Sequence, residues 1–253
     1  MAPNFNIAYQ YKSNGTVSFS GSRKLTPLKV EQLYTQYIYQ GNRNFNRSGV
    51  NFDFMPDYNL GLVYTLGNQL SEQITASAFY QHNEKYLSNT IIANPNFMAN
   101  QSILVKDNST FMFNSEIRKY LKVLRSRISI FNNYLTSNYQ NSVNEGPLQT
   151  TAYSSYKLGL EMKSGWLKKI NYEFGYEWNF NIMKSSNFSN SYIDQRGFFN
   201  LYYRFTDVVK LQSNLDYFNF GNTTQRTTQF LDMKLDYKIK KHKLDLFISA
   251  NNL

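Results

Sequence analysis

Side chains able to carry acid–base or metal chemistry are scarce in this chain. Among its 253 residues there are two histidines, 17 Asp and Glu, and no cysteine. A hydrolytic site would need a histidine and a serine presented together, and the neighbours of His82 (Asn83 and Glu84) and of His242 (Lys243) do not supply that spacing. No Gly-rich phosphate loop is visible either. We therefore expect no enzyme activity, no catalytic residue, no metal site and no bound cofactor.

The net charge is +10, which in principle suits nucleic acid. The basic residues, however, concentrate in three short stretches and do not follow one groove. These stretches contain Lys119, Lys122, Arg125 and Arg127, then Lys163, Lys168 and Lys169, and finally Lys238, Lys240, Lys241 and Lys243. Because the clusters fall between strand-like segments, we predict no nucleic-acid partner, and we expect the clusters to lie near anionic lipid headgroups.

The elements that must position any site are β-strands of unusual length. Residues 170–182 read INYEFGYEWNFNI, in which every second residue from Ile170 to Ile182 is apolar or aromatic and most of the others are Asn or Glu. Successive strand side chains point to opposite faces, whereas a helix would scatter these residues around its circumference. This strand would be about 13 residues long, against about 5 or 6 in soluble proteins.

Segments of this kind occur about twelve times, joined by connections that are alternately short and long. The long connections are expected at residues 23–56, 84–108, 139–149, 185–194 and 221–227. Short turns at one end and long loops at the other are typical of an antiparallel up-and-down transmembrane β-barrel. We therefore predict an all-β fold in which residues 1–253 form one portion of a larger barrel in the outer membrane of a Gram-negative cell.

The two faces of each strand differ in chemistry. In a wide barrel the apolar face contacts lipid and the polar face lines a watery lumen. The charged residues expected to face this lumen, where most of them would simply solvate the wall, are Glu161, Glu173, Glu177, Arg204, Asp232, Lys234 and Asp236. Exposed loops commonly carry recognition. The residues expected to contact a ligand from the first long loop are therefore Tyr34, Tyr37, Tyr39, Arg43 and Arg47.

Four short motifs resemble the barrel part of TonB-dependent receptors, in the outer membrane protein beta-barrel family common in the Bacteroidota. Residues 16–25 (TVSFSGSRKL) are similar to a strand of that family that ends in a basic pair. Residues 41–45 (GNRNF) are similar to its Gly-Asn-Pro-x-Leu loop, with Arg43 in place of proline, and residues 55–58 (MPDY) enter a strand as in the family. Residues 250–253 (ANNL) resemble the end of its penultimate strand.

The resemblance implies a barrel of about 22 strands that imports a scarce ligand. A plug domain would occlude its lumen, and energy would come from the TonB complex. A surface lipoprotein is a further expected partner beside outer-membrane lipid, and the signal peptide, the plug and a final strand are expected outside these residues. Two alternatives stay open at this point. One is a structural or secretion-associated barrel without transport of its own, and the other is a soluble aromatic-rich β-sandwich that binds a ligand.

Overall fold

The structure is a computed structural model that describes residues 3–29, 33, 36–48, 50, 53–68, 71–142, 146–164, 169–186, 188–223, 227–239 and 244–252. Fourteen strands are found in these ranges. They are β1 (Asn4–Lys12), β2 (Gly15–Pro27), β3 (Ile38–Gly41), β4 (Asn44–Ser48), β5 (Phe54–Gly67), β6 (Glu72–Asn94), β7 (Phe97–Leu121), β8 (Ser126–Asn141), β9 (Gln149–Ser164), β10 (Ile170–Ser185), β11 (Phe188–Arg204), β12 (Val209–Asn219), β13 (Thr227–Ile239) and β14 (Leu244–Ala250). None of the described residues belongs to a helix long and apolar enough to cross a membrane.

Twelve of these strands follow one another in a single antiparallel sheet. Its order is β1-β2-β5-β6-β7-β8-β9-β10-β11-β12-β13-β14, so neighbours in the chain are neighbours in the sheet once β3 and β4 are set aside. The predicted all-β, up-and-down antiparallel fold and its number of long strands are confirmed. Among the described residues no ladder joins β1 to β14, and the sheet is therefore open. The two stacked sheets of a β-sandwich do not form in this part of the chain.

Strand register sorts the side chains into an apolar face and a polar face. Phe174 of β10 lies opposite Met162 of β9 and Phe199 of β11, whereas the next position, Glu173, lies opposite Lys163. The apolar face is uncovered, with 38% of Phe174 and 40% of Phe199 exposed. Its row on β10 is about 40 Å long, or about 30 Å high at a strand tilt of about 40°. That height matches the hydrocarbon thickness of a bilayer.

The sequence of strand β8 does not show which of its faces is apolar. Phe131 and Tyr134 are three residues apart, so in a strand their aromatic rings point to opposite faces. In the structure Tyr134 lies opposite Tyr156 on the apolar face, and Phe131 lies opposite Gly159 on the polar face. A Cβ atom at position 159 would come within 2.1 Å of Cζ of Phe131. The phenylalanine is therefore tolerated on the polar face because its ring covers a glycine.

This arrangement recurs at every glycine inside a long strand. The direct cross-strand pairs are Gly21–Phe5, Gly61–Phe79, Gly159–Phe131, Gly175–Phe198 and Gly197–Tyr176. A Cβ atom built on any of these glycines would come within 2.1 to 3.1 Å of the partner ring. Each ring thus occupies the space that a side chain would fill, and it packs against the strand backbone.

Two of the predicted long loops are wrong, since strands continue through them. β6 and β7 stay paired as far as Asn94 and Phe97, and β10 and β11 stay paired as far as Ser185 and Phe188. Beyond a membrane both faces of a hairpin are wet, so the alternation of apolar and polar residues fades while the backbone ladder persists. The short turns therefore lie at one end of the sheet. At the other end, two of the long connections are protruding hairpins.

Residues 28–53, predicted as part of a loop, contain the hairpin of β3 and β4. Its turn holds Asn42 and Arg43 at positive φ, 48° and 63°, as a type I′ turn requires. Proline is locked near a φ of about −65°, so the proline of the family loop could not stand at position 43 in this conformation. The likeness of residues 41–45 to that loop does not extend to the backbone.

Strand β4 pairs in parallel with the protruding part of β7, from Asn44 opposite Met98 to Ser48 opposite Ser102. We call β3, β4 and the parts of β6 and β7 between residues 85 and 106 the apical sheet. The buried hydrophobic residues of the described chain are Leu28, Val50, Ala99 and Val105. Two of them belong to the apical sheet, and the other two to the segments that flank its hairpin. The dry core of the described chain is thus at this end, while the strands below form a single layer.

Candidate functional site

The polar face of the sheet holds all seven charged residues predicted to face a lumen. Glu173 lies opposite Asn200, Asn200 opposite Asn214, and Asn214 opposite Asp232, which fixes one continuous face across four strands. Glu161, Glu177, Arg204, Lys234 and Asp236 have the same parity on their strands. Three depressions of about 490, 560 and 360 Å³ open mainly on this face. This face therefore carries the candidate site.

Charged side chains between β9 and β14 are largely paired with one another. The ion pairs are Lys157–Glu177 at 3.0 Å, Lys163–Glu173 at 3.1 Å, Arg196–Asp216 at 3.1 Å and Lys234–Asp236 at 2.9 Å. Partly exposed pairs of this kind contribute about 0 to 1 kcal/mol each. We call this surface the paired wall. Four of the seven predicted charges, Glu173, Glu177, Lys234 and Asp236, are neutralised within it.

The other three predicted charges lie on the same wall in different surroundings. Asp232 accepts a hydrogen bond from the backbone N–H of Asn252 at 2.9 Å. Arg204 is the last residue of β11, and its backbone N–H donates to the carbonyl oxygen of Lys169 at 2.8 Å. Glu161 lies opposite Ser129 and Gly175, so no charged residue faces it directly across either ladder.

Strands β1, β2, β5 and β6 build a second wall of different chemistry. Its depression of about 560 Å³ is lined by Asn4, Asn6, Ser20, Ser22, Asn59 and Gln81 together with Phe79 and Met112. Charged residues on the polar face of these four strands, within the described side chains, are Lys24 and Asp57 near the upper ends of β2 and β5, and Lys85 where β6 enters the apical sheet. The two walls therefore differ in charge although their alternation in sequence is the same.

Uncharged polar side chains also line the polar face of β6 and β7 on the way into the apical sheet. Gln81 lies opposite Thr110, Asn83 opposite Asn108 and Asn89 opposite Ser102, and the register is the same on both sides of Asp107, where φ is 60° and the pair with Glu84 is missing. A further depression of about 410 Å³ is lined by Ile38, Asn46, Arg47, Ser48, Asn89, Asn100 and Ser102. We call the amides and hydroxyls of this face, from Asn4, Asn6 and Asn59 at the lower end to Asn46, Asn89 and Asn100 at the upper end, the amide wall.

Aromatic residues of the predicted ligand loop contact one another at the apex. The rings of Tyr37 and Tyr39 pack against Phe45, at 6.3 Å and 5.5 Å between ring centroids, and Phe45 packs against Phe97 at 5.8 Å. The guanidinium of Arg47 lies 5.3 Å from the centre of the Tyr37 ring. The structure brings three predicted loop residues into one cluster. Phe97 was missed because it falls where a loop was predicted.

The remaining predicted loop residues are less informative. Arg43 is exposed in the β3–β4 turn, and its carbonyl oxygen accepts the N–H of Met98 at 3.0 Å. Tyr34 lies outside the described residues. The same is true of Lys168, Lys240, Lys241 and Lys243 in the predicted headgroup clusters.

Outside the polar face, His82 is the histidine that the structure describes. Its ring stacks on Tyr58 at 6.3 Å, and Tyr58 donates its hydroxyl proton to Glu84 at 2.7 Å. Ser109 lies directly opposite His82 on β7. Chain spacing does not reveal this serine, because cross-strand pairing supplies it. Among the described residues no group of three or more His, Cys, Asp and Glu could hold a metal ion.

Comparison with known proteins gives a likeness of architecture. No protein-family model matches the chain, and no curated protein sequence matches it. A FadL homologue of Pseudomonas aeruginosa is similar over 98% of this chain and 68% of its own, at 10% identity and a TM-score of 0.42. OmpT, an outer membrane protein of Vibrio cholerae, is similar over 99% of this chain and 88% of its own, at 9% identity and a TM-score of 0.44. The fold assignment itself rests on the strand pairing.

Proposed function

We propose that this chain is part of the wall of an outer-membrane β-barrel through which a solute passes. One observation carries the proposal, namely a single-layer sheet with an uncovered apolar face and a polar face made of ion pairs and amides. In water the apolar face would cost about 25 cal/mol for each Å² left exposed. Lipid removes this cost, and in a closed sheet every backbone donor and acceptor is paired.

The ends of the sheet support one orientation. Barrels of this class place short turns in the periplasm and longer connections outside the cell. The turns at residues 13–14 and 122–125 are short, whereas the apical sheet stands at the opposite end. The apical sheet is then the part that a solute meets first.

A finer proposal is that the barrel belongs to a TonB-dependent receptor. Its support is the resemblance of residues 16–25, which form most of β2, and of residues 250–253. The plug domain, the TonB complex and a surface lipoprotein would then be partners. The paired wall offers a plug a surface on which four ion pairs are already formed.

The membrane location is tested by labelling single cysteines in a chain that has none. Phe199→Cys and Asn200→Cys are adjacent positions of β11 on opposite faces, and both would be placed in liposomes. A water-soluble maleimide that cannot cross the bilayer is expected to label Asn200→Cys rapidly and Phe199→Cys very slowly. Equal labelling of the two positions would refute the membrane proposal.

The TonB proposal needs a separate measurement. The complete gene product is purified in detergent and mixed with the purified periplasmic domain of TonB. Binding supports a receptor that uses energised transport. If the barrel inserts into liposomes but shows no binding, the TonB proposal fails, and the alternative of a structural or secretion-associated barrel is favoured.

A further inference from the structure

We infer that the turn joining β7 and β8, residues Lys122–Arg125, is a binding site for an anionic phospholipid of the periplasmic leaflet. Its two aliphatic side chains enter the lipid, and its two cations bind the phosphate. The inference rests on the proposed function, since it concerns the lower edge of the same sheet. We call these four residues the rim turn.

The rim turn exposes two aliphatic side chains between two cations. Val123 is 96% exposed and Leu124 is 51% exposed, and the flanking Lys122 and Arg125 are exposed as well. Val123 has the largest exposed fraction of the large hydrophobic residues in the described part of the chain. The turn closes through the backbone N–H of Arg125, which donates to the carbonyl oxygen of Lys122 at 3.3 Å. The aliphatic pair is therefore not needed to form the turn.

Hydrogen bonds tie the rim turn to the lipid-facing side of the sheet. Ser126 has the same parity on β8 as Ile128, which lies opposite Met162 on the apolar face. The hydroxyl of Ser126 donates to the carbonyl oxygen of Leu124 at 2.8 Å. Because this hydroxyl has one proton, Tyr172 donates its own proton to Ser126, also at 2.8 Å. Ser126 is fully buried, so the backbone of the turn is held from the apolar face.

The height of the rim turn matches the headgroup layer. On the apolar face of β7, Ile117 is followed by Lys119, which pairs with Glu72 at 2.9 Å and ends the apolar row. β7 ends at Leu121, two residues further on, which is about 7 Å along the strand. At a tilt of about 40° this is about 5 Å along the membrane normal. The headgroup layer is about 5 to 7 Å thick on each side of the hydrocarbon, so the rim turn begins inside it.

The charge of the rim turn favours an anionic lipid. The turn carries two cations and no carboxylate, and Glu72, at the lower end of β6, is already paired with Lys119. Long cationic side chains reach a phosphate while their stems follow apolar surface. Basic residues close to a membrane surface are attracted to anionic headgroups. Lys122 and Arg125 can therefore hold a phosphate while the two residues between them enter the lipid.

The β1–β2 turn at the same end of the sheet provides a contrast. Its residues, Ser13 and Asn14, are neither charged nor apolar. Gln10 lies opposite Thr16 on the polar face, and its side-chain amide donates to the carbonyl oxygen of Ser13 at 3.4 Å. This turn is therefore held from the polar face, and it serves as the matched control.

The depth of the rim turn is measured with a fluorescent dye on the full chain inserted into vesicles. Val123→Cys and Asn14→Cys each supply the single cysteine of a chain that has none, and each is labelled with NBD, whose emission shifts to the blue in lipid. The vesicles are an equal mixture of phosphatidylcholine and phosphatidylglycerol. The dye at residue 123 is expected to shift to the blue and to be quenched by lipids that carry a nitroxide near the headgroup. The dye at residue 14 is expected to show neither effect.

Lipid preference is measured with the dye at residue 123 in phosphatidylcholine vesicles. Traces of nitroxide-labelled phosphatidylglycerol or nitroxide-labelled phosphatidylcholine are added, and the quenching gives their relative association with the turn. Phosphatidylglycerol is expected to associate about tenfold or more strongly, as for two cations near an anionic headgroup. Lys122→Gln with Arg125→Gln is expected to abolish this preference. Lys24→Gln with Lys184→Gln removes two exposed cations near the upper strand ends and is expected to leave the preference unchanged.

Three results would each overturn the inference. These are a dye at residue 123 that stays in water, equal quenching by the two lipids, or a preference that survives Lys122→Gln with Arg125→Gln. The first result would leave the rim turn to a periplasmic protein partner.

The outcome is separable from the membrane proposal, which depends on labelling of Phe199→Cys and Asn200→Cys. A protected Phe199→Cys together with a dye at residue 123 in water would retain the barrel and reject the lipid site. Equal labelling of the two positions together with a quenched dye would reject the barrel and retain lipid contact at the rim turn.

Discussion

Leu215→Arg distinguishes a sheet surrounded by lipid from one surrounded by water. Leu215 lies in the middle of β12, with Phe199 and Leu231 directly opposite on the two neighbouring strands. It is already 38% exposed. In water an arginine at this position could extend into solvent, and an exposed substitution of this kind costs within about 0.5 kcal/mol.

In a bilayer the same substitution is expensive. Leu215 is the seventh residue of an 11-residue strand, which places it near the middle of the hydrocarbon. An arginine facing lipid at the midplane of a barrel costs about 2 to 4 kcal/mol. At about 1.4 kcal/mol for each factor of ten, the equilibrium constant of unfolding should rise about 30- to 700-fold.

Asn214→Arg is the matched control because Asn214 is the neighbouring residue on the polar face. It lies opposite Asn200 and Asp232, so an arginine there meets water and a carboxylate. We expect its free energy of unfolding to stay within about 0.5 kcal/mol of the unmodified chain. Urea unfolding in large unilamellar vesicles, followed by tryptophan fluorescence, measures both variants. An equal effect of the two arginines in vesicles would refute the assignment of the apolar face to lipid.

Two further predictions concern packing and the apex. Gly159→Ala forces the Phe131 ring away from its position, since the new Cβ would come within 2.1 Å of it. Overpacking of this kind lowers the free energy of unfolding by about 1 to 3 kcal/mol. The loss should be smaller in the same vesicle assay when Phe131→Ala is added. At the apex, the Lys85 ammonium, followed by the backbone N–H of Phe54, lowers the pKa of Asp53 below its usual value. A lowered folded-state pKa means that the contribution of Asp53 is present above about pH 3.9, the ordinary value, and is lost as the pH falls through the folded value. The protection factors of β4 amides against hydrogen exchange should fall in that acid range, and in Asp53→Asn they should no longer change with pH. Protection factors that still fall in Asp53→Asn would contradict this role.

The number of long strands, their order and the side chains on each face can be predicted from the sequence. Apolar and polar residues alternate strongly wherever one face of a strand contacts lipid. The row from Ile170 to Ile182 is the clearest case, and the structure places it as predicted. The same reasoning fails above the apolar band. There both faces of β6 and β7 are wet, and the polar run ending near Asn108 therefore predicts a loop where the structure has a paired hairpin.

Short strands and contacts between strands cannot be predicted from the pattern of residues along the chain. The hairpin of β3 and β4 has strands of four and five residues, too short for alternation to identify. Ser109 beside His82 and Lys157 beside Glu177 arise from pairing between strands that no local spacing encodes. Segregation of charge between the two walls is encoded in the sequence, because it follows from the charges of each polar row taken in strand order.

The glycine–aromatic pairs have a consequence for assembly. If two strands pair out of step by one residue, lipid-facing and water-facing side chains exchange places, and the error is strongly penalised. A slip by two residues keeps both faces correct and would escape that penalty. It would, however, push the Phe131 ring onto a neighbour of Gly159 that carries a side chain, and leave the glycine bare. Five such pairs are spread from β1 to β11. They therefore favour the native register over a register shifted by two residues while the strands pair during insertion.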